Sequence, residues 1–316
     1  MKVEMRRLGT AGPNMSLVGL GCNNFGMKLD EKQSAAVVHA ALDAGITHFD
    51  TAERYGGGKS EVFLGKALGK KRGDVVIATK VAPRPSGEPY RPGVLRERVL
   101  EACDVALRRL DTDYVDILYQ HYPDPEAPVE EALEAMGELI AADKVIHAAC
   151  SNFSAEQIDE AARVSAERGG AKFIACQIHW NLLTRGGEEE LVPALRRQAM
   201  GIVPYFPLES GLLTGKYRRD ADFPEDSRLA AMPRFATRAT DETFTYLEEL
   251  KRFAEARGHS LLELAFGWLA AQDGVASIIA GATTPEQVAE NVRAGGAWRL
   301  SEEELRELPR TALEGS

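Results

Sequence analysis

Short apolar runs recur along this chain, each separated from the next by a stretch with helical spacing. No other feature limits the fold as much. The runs cover residues 17–22, 47–51, 75–81, 115–121, 145–151, 173–179, 201–207 and 275–281, eight in all. Most are apolar throughout instead of alternating, which is how strands covered on both faces read. Helical stretches lie between them at 32–44, 59–68, 94–110, 129–142, 155–167, 188–198 and 285–294. Pro92, Pro128 and Pro285 stand at or just before helix starts, where a missing N–H costs little. Ser154 and Thr284 suit N-cap positions. Eight strand–helix units with no linker between them predict one closed (β/α)8 TIM barrel, of the α/β class, with residues 1–316 as a single domain.

Two features flank this repeat. The opening stretch, MKVEMRRLGTAGPNMS, alternates and turns at residues 9–13, which predicts a hairpin ahead of the barrel. After the seventh run comes a long loop, GLLTGKYRRDADFPEDSRLAAMPRF, then helices near 241–256 and 261–271. Loops of that length in compact proteins usually carry function. The end, SEEELRELPRTALEGS, reads as an acidic surface helix with a short tail.

Charge and composition narrow the function. The net charge is −10 over 316 residues. A phosphate backbone or an anionic membrane surface calls for the opposite sign, so neither nucleic acid nor membrane is an expected partner. No apolar run approaches the ~20 residues needed to span a bilayer. The first residues lack the apolar segment of a secretory signal. Cys22, Cys103, Cys150 and Cys176 show no CxxC or zinc-like spacing, and no metal site is expected. Together these features read as a reduced, cytoplasmic protein with a small-molecule substrate. A homo-oligomer is compatible with them.

In a barrel of this kind, chemistry gathers where the strands end. The residues expected there are Asp50, Lys80, His121, Ser151, Asn152, Gln177, Tyr205 and Gly281. Asp50 opens the stretch FDTAERYGGGKSE, with Tyr55 five positions on and three glycines behind it. Lys80 ends the strongly apolar VVIATK, so a buried ammonium there needs an anionic partner. Asp50 can be that partner. A lysine beside a phenol stabilises the phenolate and is expected to lower the tyrosine's pKa from its usual value of about 10. Tyr55 could then give a proton near neutral pH, with His121 orienting a carbonyl by hydrogen bonding. Ser151, Asn152 and Gln177 offer groups of the kind that hold a carboxamide, and Tyr205 offers a flat face. GLLTGKY, with Lys216, and the helix start at Thr284–Pro285 suit phosphate. No GxGxxG loop is present, which excludes a Rossmann dinucleotide site.

These segments, in this order, resemble the aldo-keto reductase superfamily over nearly the whole chain. Asp50, Tyr55, Lys80 and His121 match its catalytic tetrad, within GITHFDTAERYGGGKSEVFLGKAL and LRRLDTDYVDILYQH. SNF, QIHWN, YFPLESGLLTGKY and GATTPEQVAEN match its cofactor segments. The resemblance implies carbonyl reduction with a nicotinamide coenzyme, NADP(H) foremost and NAD(H) as the alternative. Tyr55 would be the proton donor, Lys80 and Asp50 would tune it, and His121 would position the carbonyl. Ser151, Asn152 and Gln177 would hold the nicotinamide amide and Tyr205 would stack on its ring. Leu208, Ser210, Gly211, Leu213 and Lys216 would line the pyrophosphate path, with Arg228 joining the clasp, and Gly21, Cys22, Asn23, Asp50, Tyr55, Phe206 and Pro207 would also touch the coenzyme. Gly281, Thr283, Gln287, Glu290 and Asn291 would bind the adenosine end.

The substrate-facing set would be Asn23, Phe25, Tyr55, Tyr90, His121, Tyr122, Trp180 and the loop after Tyr217. Phe206 departs from the serine of many members. Gly281 and Gln287 stand where many NADPH-specific members are basic. That pattern is similar to bacterial reductases and potassium-channel beta subunits. Two other functions fit parts of the sequence: a barrel lyase forming a Schiff base on Lys80, and a non-catalytic nicotinamide-sensing subunit.

Overall fold

The computed structural model describes residues 3–84, 87–225 and 227–309. Strands β1 (Met5–Arg7) and β2 (Asn14–Ser16) pair antiparallel as the expected hairpin. The eight barrel strands follow as β3 (Val18–Gly21), β4 (His48–Asp50), β5 (Val76–Val81), β6 (Val115–Gln120), β7 (Val145–Ser151), β8 (Ala175–His179), β9 (Gly201–Tyr205) and β10 (Ile278–Gly281). All neighbours are parallel, and β10 pairs with β3 to close the ring. Every apolar run thus holds a barrel strand. The strands are mostly shorter than the runs, because apolar character continues past the last ladder hydrogen bond.

Helices α1 (Glu31–Asp43), α2 (Lys59–Leu68), α3 (Val94–Leu110), α4 (Val129–Ala141), α5 (Ala155–Arg168) and α6 (Leu191–Arg197) connect the first seven barrel strands. Their starts follow local chemistry. Asp30 with Gln33 and Ser154 with Gln157 form reciprocal capping boxes that satisfy otherwise orphaned N–H groups. Helix α6 begins three residues later than expected, because Glu188 turns back to accept from Arg185 and from the Trp180 indole. Gly65 is needed where α2 crosses α3. A Cβ there would lie 2.2 Å from the Leu110 carbonyl oxygen, so the two helices touch backbone to backbone.

After β9 the chain does not return directly. Helices α7 (Arg228–Ala231) and α8 (Pro233–Ala236) lie in the long loop, and α9 (Asp241–Glu255) and α10 (Leu261–Ala270) precede β10. Helices α11 (Pro285–Ala297) and α12 (Glu302–Glu307) complete the outer layer. The short tail expected at the end lies outside the described residues from 310 onward.

The barrel interior is a packed apolar plug. Val76, Ala78, Ile117, Tyr119, Ala149, Ala175, Val203 and Ile279 meet inside it, and Leu8 and Met15 of the hairpin join them. The hairpin covers the end where the strands begin: a Cβ at Gly9 would lie 2.9 Å from the Gly201 nitrogen and the Ile174 oxygen. Only the opposite end remains open. Among the described residues, no helix is long and apolar enough to cross a membrane.

Candidate active site

Strand β4 ends at Asp50, and the register sets Asp50 beside Ala78, two residues before Lys80 on β5. The period of two along a strand therefore sends both side chains to the same inner face. Lys80 Nζ donates to Asp50 Oδ2 at 2.6 Å, to the Thr51 carbonyl at 2.8 Å and to the Tyr55 hydroxyl at 3.4 Å. The Lys80 and Asp50 side chains are 1% and 4% exposed, so neither charge can rely on water. Gln177 Nε2 donates to the other Asp50 oxygen, satisfying the carboxylate on both sides. Burial alone would lower the Lys80 pKa. Asp50 and the phenol more than reverse this, raising it and holding an ammonium.

Tyr55 is aimed by the three glycines after it. Gly56, Gly57 and Gly58 have φ of 58°, 66° and 91°, a left-handed run that side chains strongly resist. The loop is held from behind by polar groups. Arg109 packs against Gly58, donates to the Glu53 carbonyl at 3.2 Å and pairs with Glu61 at 3.1 Å. Glu61 is fully buried and also accepts from Thr79 Oγ1 at 2.6 Å.

His121 lies one residue beyond β6. Its ring meets Tyr55 edge-on at 6.1 Å and stacks on Tyr122 at 4.8 Å. Burial first, then the Lys80 and Arg54 charges, lower its pKa to about 3, so the imidazole is neutral. Its Nδ1 is buried without a hydrogen-bond partner.

These side chains form one end of a cavity of about 820 Å³. Further along lie Ser151, Asn152, Gln177 and Tyr205. The Tyr205 hydroxyl donates to Asn152 Oδ1 at 2.6 Å, and Asn152 Nδ2 donates to the His121 carbonyl at 2.9 Å. Next come Phe206, Pro207, Leu208, Ser210, Gly211, Lys216 and Arg228. Phe206, Ser210 and Gly211 have φ of 51°, 56° and 98°. The turn is closed by its own backbone: the Glu209 N–H donates to the Phe206 carbonyl at 3.0 Å and the Gly211 N–H to the Leu208 carbonyl at 2.8 Å. Ser210 Oγ is buried and unpartnered there. Arg228 donates to Asn24 Oδ1 at 3.2 Å, from the wall across to the loop after β3. The far end carries Gly281, Thr283, Gln287, Glu290 and Asn291, around the N-terminus of α11.

A profile of the Aldo/keto reductase family matches residues 17–311. The chain belongs to the aldo/keto reductase family. It is 37% identical over 300 residues to a probable voltage-gated potassium channel subunit beta of Oryza sativa subsp. japonica, covering 92% of this chain and 91% of that one. It is 34% identical to the aldo-keto reductase YhdN of Bacillus subtilis (strain 168), over 99% of this chain and 95% of that one. It is 31% identical to L-glyceraldehyde 3-phosphate reductase of Escherichia coli O157:H7, over 99% and 94%. Membership and these relatives support an oxidoreductase.

Six expected site residues do not line the cavity: Lys80, 1% exposed behind Asp50 and Tyr55, and five others. Cys22 is fully buried with its thiol 3.7 Å from the Leu20 carbonyl, and Leu213 is likewise core. Each is an apolar group on a backbone whose neighbours face the cavity. Phe25 is fully buried and offers only its carbonyl to the Gly56 turn. Trp180 is 1% exposed, edge-on to Trp268 at 5.5 Å. Tyr90 turns its hydroxyl to Glu131 on α4 at 2.9 Å.

A further correction concerns Tyr55, whose pKa is raised, not lowered. Burial is the largest influence, Lys80 opposes it, and Asp50 reinforces it. Lys80 spends its closest bonds on Asp50 and Thr51, leaving the phenol a longer one. Tyr55 therefore stands as a neutral phenol ready to donate.

Sequence reading also missed cavity residues. Asn24, Met232, Arg234 and Phe235 line it, three of them from the long loop. The loop after Tyr217 is expected to face substrate, but Arg228 is its only side chain assigned in advance. Nothing in its residue order shows which side chains fold inward.

Proposed function

We propose that this chain reduces an aldehyde or ketone to an alcohol with NADPH, the Tyr55 hydroxyl giving the proton. The observation that carries this reading is the wall shared by the Tyr55 hydroxyl, the buried Lys80–Asp50 pair and a neutral His121. When bound, the coenzyme supplies the hydride. Two buried unpartnered atoms on cavity-lining residues fit such a guest: Ser210 Oγ could donate to a phosphate, and Asn23 Oδ1 could accept from an amide.

The chain's own groups do the rest. A neutral imidazole can donate one hydrogen bond to a carbonyl oxygen without competing as an acid. As negative charge grows on that oxygen, its basicity passes that of the phenolate, and Tyr55 transfers its proton. Lys80, one bond behind, stabilises the phenolate left. Asp50 keeps that ammonium charged. Gln177 retains its carbonyl oxygen for a carboxamide, while its N–H is committed to Asp50. Asn152 has both ends of its amide engaged, so its role is to hold Tyr205 and the His121 strand end together.

At the far end of the cavity Gly281, Thr283, Gln287, Glu290 and Asn291 include no cation. The Thr283 backbone N–H and hydroxyl both donate to Gln287 Oε1, at 2.8 and 3.1 Å. Preference for NADPH over NADH would then rest on neutral donors and on Lys216 and Arg228, and would be modest. The Schiff-base reading of Lys80 is disfavoured, because an amine held as ammonium at 2.6 Å from a carboxylate is not a nucleophile. The 37% identity to a potassium channel beta subunit keeps a nicotinamide-sensing role as a second reading. The deciding test is titration with NADPH and NADH, then a carbonyl panel followed by loss of the reduced nicotinamide's near-ultraviolet absorbance. Tight coenzyme binding with no turnover on any carbonyl would favour the sensing role and overturn the reductase.

A further inference from the structure

Glu209 plays no part in the chemistry above, yet it is the most heavily bonded carboxylate near the cavity. Its backbone has φ of 41°, between Phe206 at 51° and Ser210 at 56°. Three non-glycine residues in the left-handed region within five positions make a strained turn, which persists only when its surroundings hold it. The Glu209 side chain does that holding. It is buried and accepts from His179 Nε2 at 2.8 Å, Asn181 Nδ2 at 2.7 Å, Thr184 Oγ1 at 3.1 Å and Arg238 Nε at 3.4 Å. Burial acts to raise its pKa, but these partners, His179 first, outweigh it and hold the pKa at about 2. An ionised carboxylate only accepts, so His179 Nε2 carries the hydrogen.

Each arm of this cluster leads elsewhere. The His179 ring lies flat against Tyr205, centroids 5.3 Å apart and planes 17° from parallel. Tyr205 in turn is bonded through Asn152 to the His121 carbonyl. On the other side, Arg238 ends the strap formed by residues 228–238. Arg228, Met232, Arg234 and Phe235 of that strap wall the cavity. Arg228 ties the other end of the strap to Asn24. Phe235 packs edge-on against Phe206 at 5.8 Å.

We propose that Glu209 is a positioning residue that couples two parts of the coenzyme site, fixing the Tyr205 face through His179 and the covering strap through Arg238. Strap closure and a correctly set Tyr205 ring then become one event. The coenzyme half of this inference rests on the reductase reading; the physical link between ring and strap does not.

The test uses the full chain with NADPH as probe. Glu209→Gln, Arg238→Met and the double variant are compared with the wild type in equilibrium titration, in NADPH release followed by fluorescence, and in trypsin digestion of the strap. Losing one partner of a buried charged hydrogen bond should weaken NADPH binding about tenfold in each single variant. The double variant should lose no more than the weaker single one, because both cut the same link. Trypsin should cleave the strap faster in both single variants, and NADPH should protect it less than in the wild type.

The decisive readout crosses the link. His179→Phe keeps a ring against Tyr205 but removes the bond to Glu209, and it should also speed strap cleavage. It serves equally if Glu209→Gln does not fold. Wild-type strap cleavage in His179→Phe, additive losses in the double variant, or wild-type NADPH affinity in a folded Glu209→Gln would each overturn the proposal. If the wild type itself binds no NADPH, the reductase reading fails first and the coenzyme half of the coupling falls with it.

Discussion

Two parts of the cavity are built in opposite ways: the floor, where Tyr55 stands, and the side wall. At the floor, Asp50, Lys80 and Gln177 stand on barrel strands, and Tyr55 and His121 lie just beyond strand ends. Their placement follows from ladder register, and their charges are paired at 2.6 Å out of water. At the wall, Phe206, Ser210, Arg228 and Phe235 stand on loops and short helices. Their placement follows from left-handed backbone, aromatic edges and single side-chain bonds such as Arg228 to Asn24. The floor is rigid because each strand is hydrogen-bonded on both sides. The wall has few such bonds, and local opening is expected first where backbone bonding and apolar contact are sparse. A chain built this way can hold the floor still while the wall opens to admit a ligand.

Substitutions can break this comparison. The largest effect should come from the floor. Tyr55→Phe is expected to lower turnover by about a thousandfold, within the range for losing a general acid, while NADPH affinity changes less than about twofold. Wild-type turnover in that variant would remove Tyr55 as the donor.

The wall's buried anchor should show itself against pH. Glu209 has a folded pKa of about 2, below the ordinary carboxylate value, so its contribution is present above the unfolded pKa and lost as pH falls toward the folded one. The shift corresponds to about 3 kcal/mol, lost between roughly pH 4.5 and 2. Acid unfolding of Glu209→Gln should be flatter in that window than that of the wild type. Parallel acid-unfolding curves would show that the carboxylate is not held as described.

A smaller effect belongs to the strap. Arg228→Met removes the bond to Asn24 and a cation beside the phosphate path. It should raise the KM for NADPH about tenfold, the cost of one charge-assisted bond, with kcat changed less than about threefold. A fall in kcat with unchanged KM would place Arg228 in the chemistry and blur the contrast.

The smallest functional effect should come from Trp180→Phe. It leaves a small cavity and removes the indole bond to Glu188, which keeps Arg185, costing about 2 kcal/mol of stability, with carbonyl KM unchanged. A changed carbonyl KM would return Trp180 to the substrate pocket.

How much could be read in advance follows the same division. Asp50, Lys80 and His121 were legible because a polar residue closing an apolar run has few places to go in a barrel. Phe25, Cys22, Leu213 and Trp180 turn away from the cavity because neighbours in sequence alternate between cavity and core, and only the built backbone shows which side each takes. Tyr55's titration was misjudged in direction, since residue order reveals the lysine beside the phenol but not the burial that outweighs it. Glu209, Arg109 and Glu61 passed unseen: their partners lie on other elements, 29 positions away for Glu209 with Arg238 and 48 for Arg109 with Glu61.

The order of apolar runs, caps and prolines was enough to determine the barrel and the end at which its chemistry gathers, because those depend on periodicities of two and 3.6 that are local to the chain. Which side chains of the long loop turn inward, how far the phenol is desolvated, and which carboxylate ties the covering strap to the ring beneath it were decided only in the folded chain. Those outcomes depend on distances between segments remote in sequence, and on the loss of water that their approach brings.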